Sequence, residues 1–220
     1  MFQGFNESTI MFYEAIRKEN CKKVYQENER LYLEGVKNPL EELYFELYNY
    51  FNDVDRDLLS NKRKCISSAY SDARFCCETP IKEYFYIRFK LNRKKKKNAL
   101  GFFFDASLDG YQYGLNIYSP DAGGMNKIRE YILDNKRYAK RVIEDFNGAG
   151  LLEIHGEKYK KAYYPKEDIV LREWLERRRI FCTHEESLSD VFYKREILNN
   201  IFSAFDSARE IYFMLREALL

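Results

Sequence analysis

Ile81-Lys82-Glu83-Tyr84-Phe85-Tyr86-Ile87-Arg88-Phe89-Lys90-Leu91 changes character at every second residue. Ile81, Phe85, Ile87, Phe89 and Leu91 share one parity, and Lys82, Tyr84, Tyr86, Arg88 and Lys90 share the other. A period of two is the signature of a strand with one face on a core and one face open. Two similar runs follow, Gly101 to Leu108 and Tyr111 to Tyr118, joined by Asp109-Gly110. Asp-Gly between alternating runs is a strong hairpin signal, because both residues tolerate the positive φ of a tight turn. The three runs therefore predict consecutive antiparallel strands. In the last, Tyr111, Tyr113, Leu115 and Ile117 face the core, while Gln112, Gly114, Asn116 and Tyr118 face the other way.

Outward from this centre the period lengthens to that of helices. Asn6 is placed to cap a helix carrying Ile10, Met11, Ala15 and Ile16, and a second helix follows Asn20. Asn38-Pro39-Leu40-Glu41 reads as N-cap, N1 proline and capping carboxylate of a third. The period-two region is read as starting near Arg63. Beyond the hairpins, Asp121 to Phe146 predicts one or two helices with a break near Asp134-Asn135. Leu151 to Ile154 predicts a strand, Glu167 to Glu176 a short helix and Arg178 to Thr183 a last strand. Ser187 is read as the cap of a long helix with Leu188, Phe192, Leu198, Phe202, Phe205, Tyr212 and Leu215 on its buried stripe. Strands grouped centrally with helices outside them give an α+β class: a central, mostly antiparallel β-sheet (a meander over residues 63–118), flanked by N-terminal helices and a long C-terminal helix. At 220 residues, one domain spanning 1–220 is expected.

Composition narrows function. With 45% hydrophobic and 33% charged residues and no apolar run near 20 residues, the chain reads as soluble, without a membrane partner. The N-terminus lacks a basic and an apolar region in series, so the expected location is the cytoplasm. Five cysteines without a C-x-x-C pair predict reduced thiols, not a disulfide framework. Cys182-x-His184 is too little to specify zinc, so no metal and no cofactor are expected. A net charge of +2 argues against specific nucleic-acid binding. Arg93-Lys94-Lys95-Lys96-Lys97 reads as a solvated hairpin loop rather than a nucleic-acid or acidic-membrane patch. Gly123-Gly124 lacks the G-K-(S/T) of a phosphate loop, and Cys76-Cys77 has no histidine near it in sequence to activate a thiol.

Ser71-Asp72-Ala73-Arg74-Phe75, followed by Pro80-Ile81-Lys82, resembles the core of a signature R-x-x-R-D-x-R-F-x-x-(D/N)-K-x-P-Y-K. That signature belongs to a sparsely distributed bacterial family of conserved hypothetical proteins, domain of unknown function 2461, which has no assigned reaction. The resemblance extends to Phe2-x-Gly4-Phe5, Asn20, Tyr32, Pro39, Gly101-Phe102, Asp109-Gly110, Gly114, Pro120, Arg129 and Gly156-Glu157-Lys158. It implies family membership across essentially the whole chain. The departures concern charge: the upstream arginines of the signature fall on Ser68 and Ser71, and its (D/N)-K pair on Glu78 and Thr79. Three cations are missing, so a diverged member is expected, with an anion-attracting field weakened at these positions.

Two functional classes remain. In the first, the chain binds a small anionic or phosphorylated metabolite: Arg74 and Lys82 contact the anion, Asp72 orients or acts as a base, and Tyr84, Tyr86, Arg88, Asn116 and Tyr118 line a concave, aromatic surface. Asp72 and Arg74, at i and i+2 of an extended segment, project the same way and either share a ligand or pair with each other. In the second, the chain is a non-catalytic binding or scaffold domain that has lost the family's cationic site. A protein partner is not named by either reading, and no complete catalytic set is present in the sequence.

Overall fold

A computed structural model describes residues 1–72, 74, 78–91 and 97–220. The elements are, in chain order, α1 (Glu7–Lys18), α2 (Lys22–Glu27), α3 (Glu29–Tyr32), a π turn (Leu33–Lys37), α4 (Asn38–Val54) and α5 (Lys62–Cys65). Then come β1 (Tyr84–Lys90), β2 (Ala99–Ser107), β3 (Gly110–Tyr118), α6 (Ala122–Asp134) and α7 (Lys136–Ala149). The chain closes with β4 (Glu153–His155), α8 (Ile169–Leu175), β5 (Phe181–Glu186), α9 (Glu196–Ser207) and α10 (Arg209–Leu219). The strands form one antiparallel sheet in the order β1-β2-β3-β5-β4, and the class is α+β as expected. No helix among the described residues is long and apolar enough to cross a membrane.

The alternation of β1 is realised in its burial. Phe85, Ile87 and Phe89 are buried, whereas Tyr84 is exposed and Tyr86, Arg88 and Lys90 are half-buried. Tyr111, Tyr113, Leu115 and Ile117 of β3 are buried too, with Gln112, Asn116 and Tyr118 half-buried. Strand order begins later than the sequence suggests. Residues 62–65 close a helical turn capped by Asn61, and between it and β1 the described residues make isolated bridges, Ile66 with Ile87 and Tyr70 with Ile81.

The chain forms two compact units, each of three segments: Met1–Phe89, Phe103–Gln112 and Glu185–Ile201 in the first, and Lys90–Phe102, Tyr113–His184 and Phe202–Leu220 in the second. In the first, Phe5 is the hub of an aromatic core. Its ring lies 4.8 Å from that of Phe192, 5.0 Å from Phe85, 5.4 Å from Phe2 and 5.6 Å from Phe104. Asn20, just beyond α1, pairs with the main chain of Ile81 in both directions: its Nδ2 donates to the carbonyl at 2.8 Å and its Oδ1 accepts the N–H at 3.0 Å. This pins the start of the alternating segment to the helical layer.

Asn38 does not cap a helix. The chain stays helical through Leu33–Lys37 by widening into a π turn, and Pro39 sits in the first turn of α4. Proline has no N–H, so the carbonyls of Glu34 and Gly35 lose the donor that either helical register would supply. Two side chains from the start of α1 replace it: Asn6 Nδ2 donates to Glu34 O at 3.1 Å and Thr9 Oγ1 to Gly35 O at 2.6 Å. Asn6 and Thr9 also complete the capping box of α1, so one pair of residues closes both ends of the contact.

In the second unit, the helix break lies at Asn135, as the sequence predicts, and α7 ends on Gly150 in the left-handed conformation. Phe102 packs on Phe205 and Tyr212 at 4.8 and 5.3 Å. The last strand runs over Phe181–Glu186, three residues later than expected, and pairs antiparallel with β4. Ser187 caps no helix; a short 3₁₀ turn over Asp190–Tyr193 comes first and α9 starts at Glu196. The C-terminal helical segment is divided at Ala208 into α9 and α10.

Candidate functional site

Both cavities described here lie within the first unit, and they differ in charge. One, of about 480 Å³, has Lys37 from the π turn, Lys62, Arg63 and Lys64 from α5, and Lys82 on its wall. Glu41 is the single carboxylate there, and Tyr32, Tyr86, Ile66, Ser67 and Ser68 complete the lining. Five cations against one carboxylate leave a surplus of four positive charges. Glu41 is already paired with Lys62 at 2.7 Å.

Lys82 is the most constrained of these cations. Its Nζ donates to Ser68 O at 2.9 Å and to Ser68 Oγ at 3.2 Å. An ammonium has three protons, so one remains for a ligand. Burial pushes the Lys82 pKa below the ordinary lysine value, and the nearby Arg88 charge pushes it the same way. Arg88 stacks on the Tyr86 ring, its guanidinium carbon 3.8 Å from the centroid, and Lys82 Nζ lies 5.7 Å from the same centroid. Ser67 Oγ accepts the Tyr86 main-chain N–H at 3.0 Å, which fixes the strand against the segment that carries Ser68.

The second cavity, of about 520 Å³, is acidic, with Asp105, Asp109, Glu185 and Glu186 beside Tyr84, Gln112 and Ser187. Three of its four carboxylates are committed. Asp109 is held by Arg17 at 2.9 Å, and Asp105 by Arg88 at 3.3 Å. Glu186 accepts from Tyr111 Oη at 2.6 Å and Ser189 Oγ at 2.8 Å. Burial raises the Asp105 pKa, while the Arg88 charge and hydrogen bond pull it back. The rings of Tyr84 and Tyr86 stack at 6.2 Å, so each cavity has a wall on β1.

The residues singled out from sequence are thus distributed. Lys82 and Tyr86 line the basic cavity, Tyr84 lines the acidic one, and Arg88 joins Tyr86 to Asp105. Asp72 and Arg74 line neither. Arg74 Nε donates to Asp72 Oδ1 at 2.9 Å, and the same oxygen accepts the Arg74 main-chain N–H at 3.1 Å. Both side chains are exposed. The hydrogen bonds from Arg74 hold the Asp72 carboxyl below its usual pKa. Asn116 and Tyr118 belong to the second unit, where Lys90 Nζ lies 4.7 Å from the centre of the Tyr118 ring. Cys76, Cys77 and the basic run as far as Lys96 lie outside the described residues.

The cavity also brings in residues that the sequence did not single out for a site: Tyr32, Lys37, Lys62, Arg63 and Lys64. Lys62-Arg63-Lys64, four to six residues before Ser68, was the available signal. Ser68, on the same wall, accepts both hydrogen bonds of Lys82. Among the described residues no cluster of three His, Cys, Asp or Glu side chains could hold a metal ion.

Several residues on which the sequence resemblance was drawn build the fold. Phe5 and Asn20 act as described above, and Gly156 lies where a Cβ would meet the carbonyl of Arg179. A search among curated proteins finds no match. The profile of the conserved hypothetical proteins DUF2461 does match, over residues 8–213, a span that takes in every residue lining the basic cavity. The chain belongs to the DUF2461 family, whose function is not established.

Proposed function

We propose that the first unit binds a small anionic ligand in the basic cavity, with Lys82 as its innermost contact and Tyr32 and Tyr86 as walls. The observation that carries this reading is the half-buried Lys82 ammonium. It is held by one serine, keeps a proton for a ligand, and sits among Lys37, Arg63 and Lys64, which have no carboxylate partner among the described residues. Burying a cation costs free energy unless an anion compensates it. A cavity of about 480 Å³ is in the range of small-molecule sites, which run from about 300 to 1,000 Å³. Binding is proposed, without a reaction. The exposed Asp72–Arg74 pair lies outside the proposed site.

Isothermal titration with inorganic phosphate and with a panel of carboxylate and phosphorylated anions tests this reading. Lys82→Met keeps the length of the stem and removes the charge. A charged hydrogen bond contributes roughly 1.5–3 kcal/mol, so the variant is expected to lose about ten- to a hundred-fold in affinity for the anions that bind. Equal affinity in wild type and Lys82→Met would overturn the assignment.

A further inference from the structure

We propose that the ligand of the basic cavity carries at least two phosphoryl groups, as a diphosphate or bisphosphate does. This inference rests on the anion-binding reading and specifies its ligand. The wall has a surplus of four positive charges after Glu41 is counted, and a phosphoryl group carries about −1.5 to −2 near neutral pH. One group would leave half or more of the surplus uncompensated, whereas two to three groups match it.

The arrangement of the cations agrees with this count. Lys82 is half-buried and fixed by Ser68, while Lys37, Arg63 and Lys64 are exposed and come from two other segments. A single anion on Lys82 leaves those three without a counter-charge. A second phosphoryl group at the exposed side supplies one, and Arg63 offers the planar fork that takes two phosphate oxygens at once. Tyr32, Tyr86 and Ile66 leave the remaining wall apolar enough for the carbon portion of a phosphorylated metabolite.

The test is calorimetric titration of the full chain with inorganic phosphate, pyrophosphate and citrate at one pH and one ionic strength. Pyrophosphate is expected to bind at least about tenfold more tightly than phosphate, a difference of about 1.4 kcal/mol. The double variant Arg63→Gln/Lys64→Gln, at exposed positions, is expected to weaken pyrophosphate by more than about tenfold and phosphate by less than about threefold. Equal binding of phosphate and pyrophosphate would overturn the two-group inference and leave a single-anion site. Citrate binding as tightly as pyrophosphate would overturn the choice of phosphoryl chemistry. Absence of binding by all three would overturn this inference, and equal behaviour of Lys82→Met toward the wider panel would remove the site itself.

Discussion

Gly35→Ala is expected to lower the stability of the protein by about 2–4 kcal/mol, combining local overpacking with the loss of a buried hydrogen bond. A Cβ at this position would meet the main-chain N of Thr9 and the main-chain carbonyl of Ser8. Those atoms belong to the first turn of α1 and cannot rotate aside as a side chain can. To make room, α1 must move away from the π turn, and that movement breaks the Thr9 Oγ1 to Gly35 O bond and the Asn6 Nδ2 to Glu34 O bond. The Gly35 carbonyl that Pro39 leaves without a donor would then lose its replacement inside a buried contact, Thr9 and Gly35 both being buried, whereas the Glu34 carbonyl is at the exposed side. At roughly 2–4 °C per kcal/mol for a chain of this size, the melting temperature should fall by roughly 5–15 °C. Thermal and urea unfolding of the variant measure it, and a change within about 0.5 kcal/mol would contradict the packing described for this turn.

Arg129→Met is expected to cost roughly 2–6 kcal/mol, the desolvation penalty of two main-chain carbonyls left unsatisfied. Arg129 on α6 is 4% exposed and lies in the second unit. Its Nε donates to Leu175 O at 2.9 Å, its Nη2 to Arg177 O at 2.7 Å and its Nη1 to Asn126 Oδ1 at 2.8 Å. Leu175 is the last residue of α8, so the guanidinium supplies a donor to a helix end and places a positive charge against its negative pole. Its guanidinium carbon also lies 5.1 Å from the centre of the Tyr159 ring. Methionine fills part of the volume and satisfies neither carbonyl. Arg129→Lys keeps the charge but cannot fork to both carbonyls, and it should fall between wild type and Arg129→Met. Urea midpoints for the three proteins test the order; equal midpoints would show that the carbonyls find other donors.

The alternation from Ile81 to Leu91 was legible because a strand with one buried face leaves a period that no helix reproduces. Asn6 as a cap, a hairpin near Asp109-Gly110 and the break at Asn135 were legible for the same local reason, the residue's own chemistry, although the turn itself takes Leu108-Asp109 and Gly110 opens β3. Asn38-Pro39 misled because it has the composition of a helix start. Whether the chain restarts a helix or widens into a π turn depends on who supplies hydrogen bonds to Glu34 and Gly35, and those donors sit 28 and 26 residues earlier. Ser187 misled in a similar way, since a serine followed by Asp190 looks like a cap whatever the next turn does.

For the candidate site, strand parity puts Lys82, Tyr84 and Tyr86 on one face; Lys82 and Tyr86 line the basic cavity and Tyr84 the acidic one. Parity cannot see that Lys37 and α5 come to the same wall, because that depends on how the π turn, α5 and the segment before β1 converge. Asp72 and Arg74 drew notice through the signature, yet their geometry satisfies each with the other. The profile match over residues 8–213 identifies the family, and the basic cavity supports the proposed function.

The most direct test concerns the Lys82 ammonium itself, followed by NMR in protein labelled at lysine Cε, with the resonance assigned by its loss in Lys82→Arg. Without ligand, Lys82 should titrate below the ordinary lysine range, because burial and Arg88 disfavour its charged form. Saturating pyrophosphate should move that titration upward, since an adjacent anion favours the ammonium, and affinity should therefore fall as pH rises through the ligand-free Lys82 pKa. A Lys82 resonance that neither shifts nor changes its titration at saturating pyrophosphate would contradict the assignment of this cavity as an anion site.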